Sequence, residues 1–182
     1  HSINVLKMKK LIYLLLPSLL FISSCKTKPL ELNVMTFNIR LDVPSDSLNS
    51  WQYRKDNAAE MVRMNDVDIL GMQEVLLNQM NDLKERLPQY TAIGVGREDG
   101  ADKGEFSPIF YKKDRFSAIE SGTFWVSETP EVARSKGWDA SYIRVATWAI
   151  LKEKATGKEI FAINTHLDND GLIARKEGGN LL

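Results

Sequence analysis

The chain has 182 residues, 43% apolar and 26% charged, which fits one domain, or one domain with a small appendage, and excludes collagen, low-complexity disorder and a multi-span membrane protein. A single cysteine excludes a disulfide framework and a Cys-based zinc site. Basic and acidic residues balance at 24 each; without residues 1–24, which hold Lys7, Lys9, Lys10 and no acid, the counts are 21 and 24, a net of −3 with no basic stripe for coating nucleic acid.

The N-terminus reads HSINVLKMKKLIYLLLPSLLFISSCKTK. Met8 fits a translation start, and Lys9 and Lys10 form a basic n-region. Leu11 to Ile22 is an apolar run of twelve residues, too short to span a bilayer but suited to the h-region of a secretory signal. Ile22-Ser23-Ser24-Cys25 resembles a bacterial lipobox. That resemblance implies that Cys25 is lipidated and becomes the first mature residue; the alternative is an ordinary signal peptide with a coincidental cysteine. The expected organisation is upstream residues and signal peptide over 1–24, a lipidated tether over 25–31, and a folded domain over 32–182. The expected location is the bacterial cell envelope, after export, with the membrane reached through a lipid anchor at Cys25.

Leu32 to Asn38 reads as a strand with partial alternation, and residues 42–50 as a loop. The pattern predicts a helix over Trp51 to Met64 and a second buried strand over Asp66 to Met72. Leu76, Met80, Leu83 and Leu87 step by four, three and four, one face of a helix that Pro88 closes. Residues 94–107 hold four glycines among charges and read as a long mobile loop. A strand starts over Pro108 to Tyr111. Arg144 to Leu151 and Glu159 to Thr165 flank the turn at 155–158 as a hairpin. Early helices and late strand pairs make the class α/β or α+β.

Three strand-like runs end in polar residues: the first at Asn38, the second at Gln73-Glu74, the last at Thr165-His166-Leu167-Asp168. Side chains delivered by strand ends are where function tends to sit. Asn38 and Glu74 offer hard oxygen ligands and no thiolate, which suits Mg²⁺ or Mn²⁺ over Zn²⁺. His166 can donate to an anionic oxygen or handle a proton. A metal and a histidine at one mouth suit attack of water on a phosphate ester. Taken singly, each has a plainer reading: Asn38 as a turn residue, Glu74 as a helix N-terminal acid, His166 as a structural histidine.

Thr36-Phe37-Asn38-Ile39-Arg40, Asp68-Ile69-Leu70-Gly71-Met72-Gln73-Glu74 and Asn164-Thr165-His166-Leu167-Asp168 together resemble the endonuclease/exonuclease/phosphatase superfamily, in its order and at sensible separations. Phe110 to Phe116, Arg144 to Trp148, Gly122 to Trp125 with Ser127 to Pro130, and Gly137-Trp138-Asp139 support the match, which covers about residues 31–177. The resemblance implies a deoxyribonuclease-I-like two-sheet β-sandwich flanked by helices, and Mg²⁺-dependent (or Mn²⁺-dependent) hydrolysis of phosphate esters. It places Asn38 and Glu74 at the metal, with Glu74 the principal ligand. His166 then hydrogen-bonds the scissile phosphate. Arg144 and Tyr111 match positions near the substrate, although Arg144 read alone fits a strand-face ion pair and Tyr111 read alone fits packing. Trp125, Trp138 and Trp148 fit core and loop packing. Glu105 is placed to reach the mouth of the site, and Asp168 reads as a turn or structural acid.

The family pattern continues with a Gly-Asp-x-Asn segment and a terminal Ser-Asp-His segment, and neither occurs in these 182 residues. The expectation is therefore the N-terminal portion of the domain, with an uncovered apolar sheet face and no activity as this fragment. The acidic balance favours a small phosphate ester over long nucleic acid as substrate, with neither excluded. No protein partner is evident. The rival functional readings are a non-catalytic surface-binding lipoprotein that keeps the fold, and a structural anchor without a ligand.

Overall fold

The computed structural model describes residues 29–182, of which residues 31–182 form one compact unit. The proposed signal segment and Cys25 lie outside the described residues. No helix among the described residues is long and apolar enough to cross a membrane.

Two sheets carry the fold. The first has the order β1 (Val34–Asn38), β2 (Ile69–Gln73), β4 (Ile109–Lys112), β3 (Tyr90–Ile93). β1 and β2 run parallel, with Asn38 level with Gln73; the other pairs are antiparallel. The second sheet is antiparallel, β5 (Phe116–Trp125), β6 (Val145–Glu153), β7 (Glu159–Thr165), with one irregularity between Ala118 and Glu120.

Side-chain alternation divides the core in two. Leu70, Met72 and Phe110 face α1 (Trp51–Met64) and α2 (Leu77–Arg86), which bury Trp51, Ala59, Val62, Met80 and Leu83 against them. Ile69, Ile109 and Tyr111 face the other way and meet Phe116, Ala149 and Leu151 of the second sheet. Burying each such large side chain stabilises the fold by about 1.5–3 kcal/mol. The result is a two-sheet sandwich with helices outside, as the resemblance implied.

The predicted α1 has the observed bounds, and Leu87 with Pro88 closes α2. The hairpin strands β6 and β7 pair as expected, Lys152 opposite Glu159. Two findings differ from the sequence reading, and a third adds detail to it. Residues Pro44–Asn49 form 3-10 turns broken by a kink at Ser47 within the segment read as a loop, opened by a proline whose φ is already helical. β3 and the ten-residue β5 were not expected as strands, since β5 is mostly polar and exposed between Phe116 and Trp125. Residues 94–107 fold back on themselves: Gly96 N–H donates to Ala101, Arg97 N–H to Glu105 and Glu98 N–H to Lys103 through their carbonyls.

A polar clasp joins the sheets. Asn164 on β7 donates through Nδ2 to the carbonyls of Met72 (2.6 Å) and Pro108 (2.9 Å), and its Oδ1 accepts from Gln73 Nε2 at 2.7 Å. The approach requires glycine at 71, because a Cβ there would lie 2.6 Å from Asn164 Oδ1. β7 is thus pinned against the end of β2, two residues before His166. On the far side of this clasp Val34, Phe161 and Ile163 are exposed along the edges of β1 and β7.

The opposite end of β2 is held by a different acid. Asp68 is buried and accepts from Asn33 N–H (2.9 Å), Lys112 Nζ (3.1 Å) and Arg115 Nη1 (2.6 Å). Burial pushes its carboxyl up, but these donors and cations outweigh that and hold it below the usual range. Asp68 therefore ties the amino end of the strand whose carboxyl end carries Glu74.

Candidate active site

The parallel register of β1 and β2 puts Asn38 beside the Gln73-Glu74 corner, and the Asn164 clasp brings the end of β7 to the same place. Glu74 stands at φ +61°, the left-handed region that a residue with a Cβ adopts only at a cost of about 1–2 kcal/mol. Such strain persists when the surroundings over-determine it, and it clusters at functional sites. The surroundings are explicit here. Asn38 Nδ2 donates to Glu74 Oε1 at 2.8 Å, and Leu41 N–H donates to Oε2 at 3.1 Å. Arg40, also left-handed at φ +59°, donates its N–H to Asn38 Oδ1 at 2.9 Å, which sets the amide so that its donor faces Glu74. Buried Gln79 secures the loop behind, accepting from Asp42 N–H and donating to the Arg40 carbonyl at 2.9 Å. Burial raises the Glu74 carboxyl, and the Asn38 amide, Leu41 N–H, His166 and Arg40 together bring it below its ordinary value.

Glu74 and His166 line one pocket of about 380 Å³, together with Arg144, Arg97 and Glu105. His166 Nδ1 is buried without a hydrogen-bond partner among the described residues. Burial, and then the Arg144 guanidinium, lower its pKa against the pull of Glu74 and Glu105. The imidazole is therefore neutral at neutral pH and offers one donor and one acceptor.

Arg144, at the start of β6, is 5% exposed. Its Nη2 donates to Asn169 Oδ1 at 2.9 Å and its Nε to Asp168 Oδ2 at 3.4 Å, while Nη1 has no partner among the described residues. The two sequence readings of Arg144 coincide: it makes an ion pair and it also faces the pocket. Asp168 is the hub beneath it, accepting backbone N–H bonds from Ser141, Tyr142, Asp170 and Gly171. Burial opposes its ionisation, and these four donors hold its carboxyl far below the usual range.

Tyr111 is a correction. Its ring packs in the inter-sheet core, 6% exposed, and does not line the pocket, because it shares the β4 face of Ile109 that meets the second sheet. Trp125 holds a loop, its Nε1 donating to the Arg97 carbonyl at 2.7 Å. Trp148 stacks on Phe161, away from the pocket. Glu105 reaches the mouth, where it pairs with Arg97 at 2.9 Å. Arg97 and Tyr142 were not singled out from sequence. The available signal was a lone arginine inside a glycine-rich turn whose backbone hydrogen bonds could not be foreseen.

Among the described residues no three His, Cys, Asp or Glu side chains cluster to cage a metal ion. The donor set at the strand ends is one oriented carboxylate, Glu74. That fits Mg²⁺, which keeps most of its waters and takes one or two carboxylates, and not a structural zinc.

A two-sheet sandwich with flanking helices and a polar pocket at its strand ends is the deoxyribonuclease-I-like class of α/β fold. Within that class the sequence profile of the Endonuclease/Exonuclease/phosphatase family matches residues 35–169, and the chain belongs to that family. It is similar to the endonuclease/exonuclease/phosphatase from Bacteroides vulgatus, at 51% identity and a TM-score of 0.82, over 82% of this chain and 57% of that one. It is similar to a mannosyl-6-phosphatase of Bacteroides thetaiotaomicron at 48% identity and a TM-score of 0.80, over 83% and 57% of the two chains. It also matches the CCR4-Not complex 3'-5'-exoribonuclease subunit Ccr4 of Emericella nidulans at 26% identity, over 78% of this chain and 25% of that protein. The chain thus spans little more than half the length of the solved bacterial relatives.

Proposed function

We propose that the protein carrying this chain is an exported, lipid-anchored, divalent-metal-dependent hydrolase of phosphate esters. The observation that carries the reading is Glu74, held in a strained conformation by Asn38 and Leu41 and aimed into one pocket with His166 and Arg144. Glu74 would hold the cation, with Asn38 setting the carboxylate rather than offering its own oxygen, which is engaged by Arg40 N–H. A bound divalent cation supplies Lewis-acid stabilisation of negative charge on the phosphoryl group. The free Nη1 of Arg144 binds a phosphoryl oxygen and orients the ester; Asp168 and Asn169 fix that guanidinium in advance, so little reorganisation is needed as charge develops. Neutral His166 donates one further hydrogen bond to the same group. The bacterial relatives include a phosphatase, which supports a small ester as substrate.

The test is release of phosphate or p-nitrophenol from p-nitrophenyl esters by the intact purified protein. Turnover is expected with Mg²⁺ or Mn²⁺, loss with chelator, and recovery when metal is restored. Turnover undiminished after exhaustive chelation would overturn the metal-dependent reading. The anchor has its own test. Wild-type protein expressed in a bacterial host is expected in the membrane fraction with labelled fatty acid attached, and Cys25→Ala is expected to lose the label. Equal labelling of both would remove Cys25 from that role.

A further inference from the structure

The glycine-rich segment 94–107 contributes a second guanidinium to the pocket, one that none of the strand-end motifs supplies. Its placement is firm. Arg97 N–H donates to the Glu105 carbonyl at 3.1 Å, and the Arg97 carbonyl accepts from Trp125 Nε1 at 2.7 Å. The Arg97 side chain is 13% exposed and pairs with Glu105 at 2.9 Å. Its guanidinium lies 5.8 Å from the centre of the Tyr142 ring, and Arg144 lies 5.4 Å from the same centre. One aromatic ring thus ties both cations to one place.

Arg97 makes no side-chain hydrogen bond among the described residues; the ion pair and the ring contact are all it has. Its Nη2 faces Glu105 Oε1 at 2.9 Å, and its other guanidinium N–H groups have no protein acceptor among the described residues. They open on the pocket that holds His166 and Glu74. Donors of this kind match an anionic oxygen ligand.

Charge narrows the class. The ionised side chains lining the pocket are Glu74, Glu105, Arg97 and Arg144, which sum to zero. A divalent cation at Glu74 brings the sum to +2. A phosphate monoester carries about −1.5 to −2 at neutral pH and has three terminal oxygens; a diester carries −1 and has two. Asp168, ionised against Arg144 beneath the pocket, lowers the sum by one whether or not Arg97 is present; Arg97 raises it by one, and that added charge favours the ester with the added negative charge.

We propose that Arg97 is a specificity-determining residue that selects phosphate monoesters over diesters, by binding the terminal oxygen and charge that a diester lacks. The proposal rests on the phosphate-ester reading above. Arg144, anchored by Asp168, binds either kind of ester. Arg97 adds discrimination, and Glu105 keeps it in place while the pocket is empty.

The experiment compares p-nitrophenyl phosphate with bis(p-nitrophenyl) phosphate as substrates of the intact protein with Mg²⁺. Wild type is expected to favour the monoester. Arg97→Gln is expected to lower the monoester-over-diester ratio of kcat/KM by about 10–100-fold, the range of a charge-assisted hydrogen bond, chiefly through a raised KM for the monoester. A melting curve accompanies each variant. If Arg97→Gln does not fold, Arg97→Lys, which keeps the charge and loses the planar donor fork, is expected to lower the ratio by a smaller factor. An equal loss on both substrates, no change in the ratio, or a wild-type preference for the diester would overturn the proposal. Hydrolysis of neither ester by wild type would instead remove the phosphate-ester reading, and the role of Arg97 with it.

Discussion

Asp168→Ala is expected to destabilise the chain by about 3–5 kcal/mol, the cost of breaking a buried ion pair and stranding one partner. Asp168 is 2% exposed and Arg144 5%. The substitution leaves four backbone N–H groups without their acceptor and removes the carboxylate that, alone among the described residues, contacts the Arg144 guanidinium. Chemical denaturation of wild type and variant at neutral pH measures the difference, and a loss below about 1 kcal/mol would mean the pair behaves as a surface contact. The pH dependence has a definite sign. The folded carboxyl titrates below its unfolded value, so its stabilisation is complete above the unfolded pKa of about 3.9. It is lost as pH falls from there toward the folded value. The gap between wild type and Asp168→Ala is therefore expected to be flat from neutrality down to about pH 5 and to narrow in stronger acid. Asp168→Asn keeps the shape and some acceptor capacity, and is expected to fall between the two.

Local patterning accounts for the parts of this fold that were legible. Trp51, Ala58, Ala59 and Val62 put a helical stripe on α1. Leu83 and Leu87 do the same for α2, and the turn at 155–158 sets the β6–β7 register. Each depends on neighbours in sequence. β5 was not legible, because its strand character comes from pairing with β6 along nearly its whole length and not from an apolar face of its own. The segment at 94–107 is a loop, as expected, but its internal order was not legible, for a related reason. Its glycines and charges describe composition, while its order comes from backbone bonds and from Trp125, a residue on another strand. Tyr111 shows the limit of motif transfer: period-two alternation along β4 sends its ring into the core. The polar strand ends were visible in sequence. Their convergence was not, since it depends on the parallel β1–β2 register and on Asn164 crossing between sheets. Asp168 closes the third polar run and was read as a structural acid, but its pairing with Arg144 was not visible; Arg97 lies outside that pattern, and its pairing with Glu105 depends on how the loop folds back.

Glu74 is where stability and chemistry are expected to separate. Glu74→Gln preserves size but replaces one carboxylate oxygen with an amide donor. That donor must then face either Asn38 Nδ2 or Leu41 N–H, both of which donate to Glu74 in the wild type. The negative charge that would hold the cation is gone. Turnover is expected to fall on the order of 10²–10³-fold, as when a preorganised electrostatic group is removed from an active site. Magnesium binding, measured by calorimetry, is expected to fall with it. Full activity in Glu74→Gln would end the assignment of this carboxylate to the metal. Glu74→Gly tests the strain. Glycine adopts φ near +61° freely, recovering about 1–2 kcal/mol, while the bonds from Asn38 and Leu41 are lost, at about 0.5–1.5 kcal/mol each. These terms nearly cancel. Glu74→Gly is therefore expected to melt close to wild type while hydrolysing nothing, whereas a residue serving only to cap the following turn would lose stability and leave turnover intact.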